Sequence, residues 1–379
     1  MNNNRLKVAI LIRNFNSSGG GAERYCVELT NRLSKIHEVH VFSQHNSEHS
    51  DYISFHKIPQ WFKKPRFVNQ LLFSWLTKRA TQNKFDIVHS HDMATHANIY
   101  TLHVPCVRTK WTQTKGIKKV LRWANTLLSP RKIAYLWLEN KEMQALSNRH
   151  FISVSEYLSR NILESYPKLY EHMTIAHPGI EIQSYNEREI TKLREKYRED
   201  YNIPVSAFVL LFVAHGFKRK GLPAIIKALE SLNDKSIHIV VAGNGDPKEI
   251  EIHSSMVKTN THFIGSVKNM SELYPVADAL IHPTLGDTYG MVVLEAMSHK
   301  LPVIVSSSEY CGFSEHLSNE EAIILNNPKN SKEISKNIQM LNQQVNLRNK
   351  IAENGLKKSK QINWESTTNK TLDAYGRVT

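Results

Sequence analysis

The chain has 379 residues, a length that predicts about two or three domains at roughly 100–200 residues each. Hydrophobic residues make up 41% and charged ones 22%, which excludes a disordered or low-complexity polymer. Three scattered cysteines (Cys26, Cys106, Cys311), with no Cys-x-x-Cys, argue against a disulfide framework and a cysteine-based zinc site and fit a reducing compartment. A net charge of +14 bears on partners and not on fold, leaving nucleic acid, an anionic membrane surface and phosphorylated substrates open.

In chain order, Leu6 to Ile12 reads as a buried strand and Ala22 to Leu33 as the helix after it. His37 to Phe42, Phe85 to His89, Ile99 to Val104 and Phe151 to Val154 read as further strands. The pattern blurs from Pro105 to Arg149, where helix and loop are expected. The apolar run Val8 to Ile12 is too short for a signal-peptide core, and no stretch approaches the ~20 apolar residues of a membrane span. A soluble or peripheral protein is expected.

The rhythm restarts after residue 200. Phe208 to Ala214, Ile237 to Ala242, His262 to Ile264, Ala279 to His282, Val303 to Ser306 and Ala322 to Leu325 read as strands. Leu222 to Leu232, Leu273 to Ala277 and Met291 to Ser298 read as helices between them. A polar, charged stretch from Gln183 to Asn202 separates the halves, placing a boundary near residue 180. After Ser331 the chain reads as polar helix with Trp364 and Tyr375 as anchors. The alternation predicts an α/β protein of two doubly wound parallel sheets, with ligands in the crevice at the carboxyl ends of the strands.

Three motifs follow strands. Gly19-Gly20-Gly21 opens the first helix, where glycine lets a ligand approach the backbone and the helix terminus favours an anion; a plain turn is the alternative. Lys218-Arg219-Lys220-Gly221 puts three cations in a strand-to-helix loop, suited to a diphosphate or simply solvated. His282 to Met297 runs from strand end through a glycine-containing loop with Asp287 to a helix that starts at Gly290 and carries Glu295. Two carboxylates so spaced can meet different parts of one elongated ligand. A zinc set from His89, His91, Asp92 and His96 is set aside on the expectation that His89 and His91 point to opposite faces; no Asp-x-Asp occurs, and no metal or cofactor is expected.

Residues 279–317 resemble the signature of retaining nucleotide-sugar glycosyltransferases of family 4, with Glu295 as second acid, Asp287 in place of the first Glu, and Leu301-Pro302-Val303-Ile304 following. Arg219, Lys220 and Gly221 match the family's diphosphate clamp, Gly19 to Gly21 its glycine loop, and His177-Pro178-Gly179-Ile180 its segment before the linker. Resemblance is weakest over residues 44–84 and 105–149; Tyr310-Cys311-Gly312 and the Phe-x-Arg-Lys-Gly form come nearest the lipopolysaccharide-core glucosyltransferases.

The resemblance implies the GT-B fold: an acceptor-binding domain over 1–180, a nucleotide-sugar domain over 181–360 facing it across a cleft, and a last helix over 361–379 packing back on the first. It implies a metal-independent hexosyltransferase that uses a nucleoside diphosphate sugar, expected to be UDP-linked, and a cell-envelope glycan or lipid-linked glycan acceptor. Glu295 then meets the ribose and Asp287 the sugar hydroxyls. Arg219 and Lys220 neutralise the diphosphate. Gly290, Met291 and Val292 offer N–H groups, and the base lies near Phe263 to Val267. His103 takes the place of an active-site histidine near the sugar, with a core or surface histidine as the alternative.

Lys57 to Lys84 holds seven Lys or Arg and no acid, interleaved with Trp61, Phe62, Phe67, Phe73 and Trp75. Val107 to His150 holds ten Lys or Arg against Glu139 and Glu142. Such a surface suits peripheral attachment to the inner, cytoplasmic face of an anionic membrane, or is an ordinary solvated one. Rival readings are a GT-B sugar-nucleotide epimerase and a basic nucleic-acid-binding protein. The second lacks any recognised motif and leaves residues 279–317 unexplained, so nucleic acid is not an expected partner.

Overall fold

Apolar runs such as Phe208–Val213 have no polar side, so a sheet built from them must be covered on both faces. The computed structural model describes residues 5–109, 116, 126, 128–181 and 185–379. It divides into two compact units, Met1–Gly179 with Trp364–Thr379, and Ile180–Asn363.

Unit 1 contains strands β1 (Lys7–Leu11), β2 (Asn14–Phe15), β3 (Glu38–Ser43), β4 (His45–Asn46), β5 (Ile53–Lys57), β6 (Ile87–Ser90), β7 (Ile99–Leu102), β8 (His150–Ser153) and β9 (Met173–Ile175). Up to Gly179, its helices among the described residues include α1 (Gly21–Leu33), α2 (Arg66–Thr81), α3 (Pro130–Glu142) and α4 (Glu156–Leu163). Seven strands form a parallel sheet in the order β5-β3-β1-β6-β7-β8-β9, and β2 pairs with β4 apart from it. The order reverses between β1 and β6, where an open α/β sheet leaves a crevice.

Unit 2 contains α5 (Glu187–Asp200), β10 (Phe208–Val213), α6 (Leu222–Leu232), β11 (Ile237–Ala242), α7 (Ser255–Thr259), β12 (Thr261–Gly265), β13 (Ala279–His282), α8 (Met291–Ser298), β14 (Val303–Ser306), β15 (Ile323–Leu325), α9 (Ser331–Gln343) and α10 (Val345–Ser359). The sheet is parallel in the order β12-β11-β10-β13-β14-β15, reversing between β10 and β13. Leu210 and Phe212 pack on one side with Ile225, Ile226 and Leu229 of α6. Val209 and Leu211 pack on the other with Val293, Leu294 and Met297 of α8. Both faces are therefore buried. The last helix, α11 (Trp364–Tyr375), belongs to unit 1, where Trp364, Ala374 and Tyr375 join the core.

The structure corrects three local expectations. The polar stretch read as a separator holds α5, part of unit 2; Gln183 itself lies outside the described residues. A reciprocal cap starts α5, with the Asn186 side chain accepting from the Glu189 N–H (2.9 Å) and Glu189 from the Asn186 N–H (2.8 Å). Arg194 and Arg198 then tie α5 to Asp278 at 2.6 and 3.4 Å. Leu273 to Ala277 forms no α-helix but a 3-10 turn, Tyr274–Val276, at Pro275, which lacks the N–H an α-helix needs. Strand β5, helix α2 and strand β9 were not expected, and most of Lys110 to Leu127 lies outside the described residues.

Candidate active site

At the reversal in unit 2, the loops after β10 and β13 meet. Gly221 permits this: its φ is +90°, and an added Cβ would overlap the Pro283 carbonyl oxygen. Arg219 donates through Nη1 to the Gly286 carbonyl (2.6 Å), and the Leu285 N–H donates to the Arg219 carbonyl (2.9 Å). Lys220, 8% exposed, forms an ion pair with Asp287 through Oδ2. The same oxygen accepts from Nε2 of His282 at 3.0 Å, since a carboxylate has no proton to donate. Burial alone would raise the Asp287 carboxyl, but the His282 hydrogen bond and the Lys220 charge override it and hold it far below the usual carboxylate range. Burial lowers the His282 imidazole, with Asp287 opposing.

Segment Tyr310–Phe313 pins this loop from behind. The Asp287 N–H donates to the Tyr310 carbonyl (2.8 Å) and the Gly312 N–H to the Asp287 carbonyl (3.1 Å). Gly290 then starts α8 with φ +99°, and an added Cβ would lie 2.6 Å from Sγ of Cys311. Met291 and Val292 stand half-buried in the first turn, where helix N–H groups have no intrahelical acceptor and favour an anion. Glu295 lies one turn further on, and its Oε2 accepts from the Tyr274 hydroxyl at 2.5 Å. Val267 packs against the same core as Met291 and Val292.

Unit 1 builds its reversal differently. Gly20 caps α1 with an extended backbone (φ −78°), so none of Gly19, Gly20 and Gly21 uses the left-handed region. A Cβ at Gly19 would touch Glu23 and the Asn16 carbonyl at 3.0–3.1 Å, whereas Gly21 faces open space. Arg13 and Asp92, after β1 and β6, pair at 2.8 Å. His103, just past β7, shares a 3.1 Å hydrogen bond through Nε2 with Nδ1 of His91, and its ring meets Tyr25 edge-on at 5.1 Å. Burial pushes His103 down to about 4, so it is neutral at pH 7.

His89 and His91 do not point to opposite faces. Residues two apart on a strand share a face, and their rings stack at 4.5 Å. His89 is occupied by Tyr375 (2.8 Å) and Thr101 (2.7 Å). Among the described residues, no group of three or more His, Cys, Asp or Glu is arranged to hold a metal ion.

Arg219, Lys220, Asp287, Gly290, Met291, Val292 and Glu295 therefore lie on two adjoining loops and one helix of unit 2, with Val267 on the core beneath. Gly19 to Gly21 and His103 belong to unit 1. The motif reading gave no role to His282, Tyr274 or Arg13. His282 carried a signal, being the last residue of the strand that launches the loop; the other two carried none.

Residues 193–358 match the family model for glycosyl transferases group 1, and residues 19–184 match that for Glycosyltransferase Family 4. The lipopolysaccharide glucosyltransferase WaaG of Escherichia coli (strain K12) is 26% identical over 254 residues, 66% of each chain, so the match spans just under two thirds of that relative. A crystal structure of WaaG, a glycosyltransferase involved in lipopolysaccharide biosynthesis, superposes with TM-score 0.78 at 22% identity, over 97% of this chain and 98% of that one. Anabaena Alr3699/HepE in complex with UDP-glucose superposes with TM-score 0.74 at 15% identity, over 98% and 100%. At these identities the structural likeness is one of fold.

Proposed function

We propose that this chain, which belongs to the GT-B glycosyltransferases of family 4, moves a hexose with retention from a UDP-sugar to a cell-envelope glycan such as lipopolysaccharide core. The observation that carries this reading is the junction of the Arg219–Lys220 loop with the Asp287 loop and the α8 terminus. A diphosphate leaving group gains charge as the glycosidic bond breaks. Fixed cations and a helix terminus stabilise that charge without reorganising. Lys220 has three donors and spends one on Asp287, and the exposed Arg219 keeps donors beyond the one on Gly286. Glu295 takes the ribose hydroxyls and Asp287 those of the sugar. The family's histidine role falls on His103, which acts as a neutral hydrogen-bonding group. The names of WaaG, a lipopolysaccharide glucosyltransferase, and of the UDP-glucose complex support the donor and acceptor classes.

The test is transfer itself. The full chain is incubated with UDP-, GDP- and ADP-sugars, with and without lipopolysaccharide core, and free nucleotide and labelled glycan are measured. Nucleotide release that depends on the acceptor and persists in EDTA is expected. Conversion of the donor sugar without transfer would instead make the chain an epimerase.

A peripheral location on the inner face of the cell membrane is part of the proposal. No helix among the described residues is long and apolar enough to cross a membrane. Trp61, Phe62 and Trp75 are 60%, 50% and 48% exposed, beside exposed Lys63, Lys64, Arg66, Lys78 and Arg79. Helix α3, packed against α2, adds exposed Ile133 and Trp137. Aromatics at this exposure beside cations suit an interface of headgroups and acyl chains. The chain should sediment with anionic vesicles at low salt. Exchanging Lys63, Lys64 and Arg66 for Glu should release it and spare turnover on a soluble acceptor.

A further inference from the structure

The acid that faces the sugar in this reading is an Asp, one methylene shorter than the family's Glu, and one of its oxygens is already committed. Oδ2 of Asp287 accepts from both Lys220 and His282, the latter at 3.0 Å, leaving Oδ1 for a ligand. The two donors differ in rigidity. Lys220 reaches across on a flexible four-carbon stem from another loop, and its charge also serves the diphosphate. His282 is the last residue of β13, in register with Val305 of β14. Its carbonyl accepts from the Thr284 N–H at 2.9 Å and the Ser306 hydroxyl at 3.4 Å. Its ring is 1% exposed, and its buried Nδ1 has no hydrogen-bond partner. The imidazole therefore has one polar engagement in the structure, the one to Asp287.

We infer that His282 is a positioning residue that locks Asp287 to the sheet, so that Oδ1 alone reads the donor sugar and the choice of hexose is independent of the diphosphate contact. This rests on the donor reading above. When a diphosphate draws on the Lys220 ammonium, a carboxylate held by Lys220 alone would follow it. His282 keeps Asp287 in place, because its own position is set by β13 and not by the ligand. The shorter acid and the histidine act as a unit: the reach lost with one methylene is exchanged for a fixed direction.

The experiment contrasts two amides of different reach in the full chain. In His282→Gln the amide nitrogen takes roughly the place of Nε2 and donates to Asp287; in His282→Asn it falls short. Gln should keep the wild-type ranking of UDP-sugars. Asn should lower kcat/KM for sugar nucleotide by about ten- to a hundredfold and flatten the ranking, the span expected for a hydrogen bond to a charged group. Affinity for UDP, which carries no sugar, should be unchanged in both. Equal behaviour of Gln and Asn, or a loss of UDP affinity and melting temperature in step with activity, overturns the positioning role. An independent measurement is the downfield Nε2–H proton resonance of His282 in the wild type. It should be lost in Asp287→Ala, which removes the acceptor, and persist when UDP is added; its loss on adding UDP overturns the inference. A wild-type chain that binds no sugar nucleotide overturns the donor reading and this inference together, whereas an active one with matching Gln and Asn variants overturns this inference alone.

Discussion

The two units place a crevice at the same topological point and line it with opposite chemistry. In unit 2 the reversal between β10 and β13 is closed by charge and by obligatory glycine: Lys220 against Asp287, Gly221 under Pro283, Gly290 under Cys311. In unit 1 the reversal between β1 and β6 has one ion pair, Arg13–Asp92, beside a stack of neutral histidines, and its glycines are conformationally ordinary. A site for a charged diphosphate gains from fixed charges and a loop with no freedom. On the proposed function, a surface for a polyhydroxylated acceptor would gain from uncharged groups that both donate and accept.

The largest way to break that contrast is Gly221→Ala. A left-handed backbone and an overlap with the Pro283 carbonyl should together cost more than about 3 kcal/mol, read as a lowered denaturant midpoint. Next, Arg219→Ala and Lys220→Ala should each weaken UDP binding by roughly one to two powers of ten in calorimetry, from about 1.5–3 kcal/mol per charged hydrogen bond. Lys220→Ala should also melt lower than Arg219→Ala, because it leaves the Asp287 carboxylate buried without its cation.

Acid separates the units by the pH window in which each loses stability. Burial lowers His89 to about 3 and His96, His103 and His150 to about 4, all in unit 1. The unfolded chain therefore binds more protons than the folded one below about pH 6.5, and stability falls from there towards pH 4. Asp287 is lowered, so its contribution is intact above about pH 4 and fades only below it. In unit 2 His238 is lowered to about 4, and burial also lowers His262, His282 and His299. Amide exchange followed from pH 7 to 4.5 should show unit 1 losing protection first. The smallest effect is Gly21→Ala, in a helix end with open space, which should gain about 0.5–1 kcal/mol.

The same asymmetry governed what could be read from the chain. Strands β10 and β11 announce themselves because every register position but Val213 is buried, so the apolar run is unbroken. Strand β5 does not: in Ile53–Lys57 only Ile53 is buried, as suits the edge of a sheet. Helix α2 hides because it buries Asn69, Gln70, Ser74 and Thr77 along with Phe73, which leaves no apolar stripe. In the site, Arg219, Lys220, Asp287 and Gly290 sit in contiguous strings whose meaning is local. The link from His282 to Asp287 depends on how a five-residue excursion closes, and that from Glu295 to Tyr274 on packing between distant segments. Neither is a pattern along the chain.

The return of α11 to unit 1 has a consequence for how the protein is made. His89 and Tyr375, separated by 286 positions, share a hydrogen bond, and Trp364 lies edge-on to Tyr25 at 5.5 Å. Unit 2 is thus a complete body inserted between two pieces of another. Loop-closure entropy grows only with the logarithm of length, about 0.6 kcal/mol per doubling, so the insertion costs the finished fold little. During synthesis the order matters more. Unit 2 has its whole sheet before Trp364 and Tyr375 exist, while the first sheet waits with Tyr25 and His89 uncovered. The half begun first is the last to close.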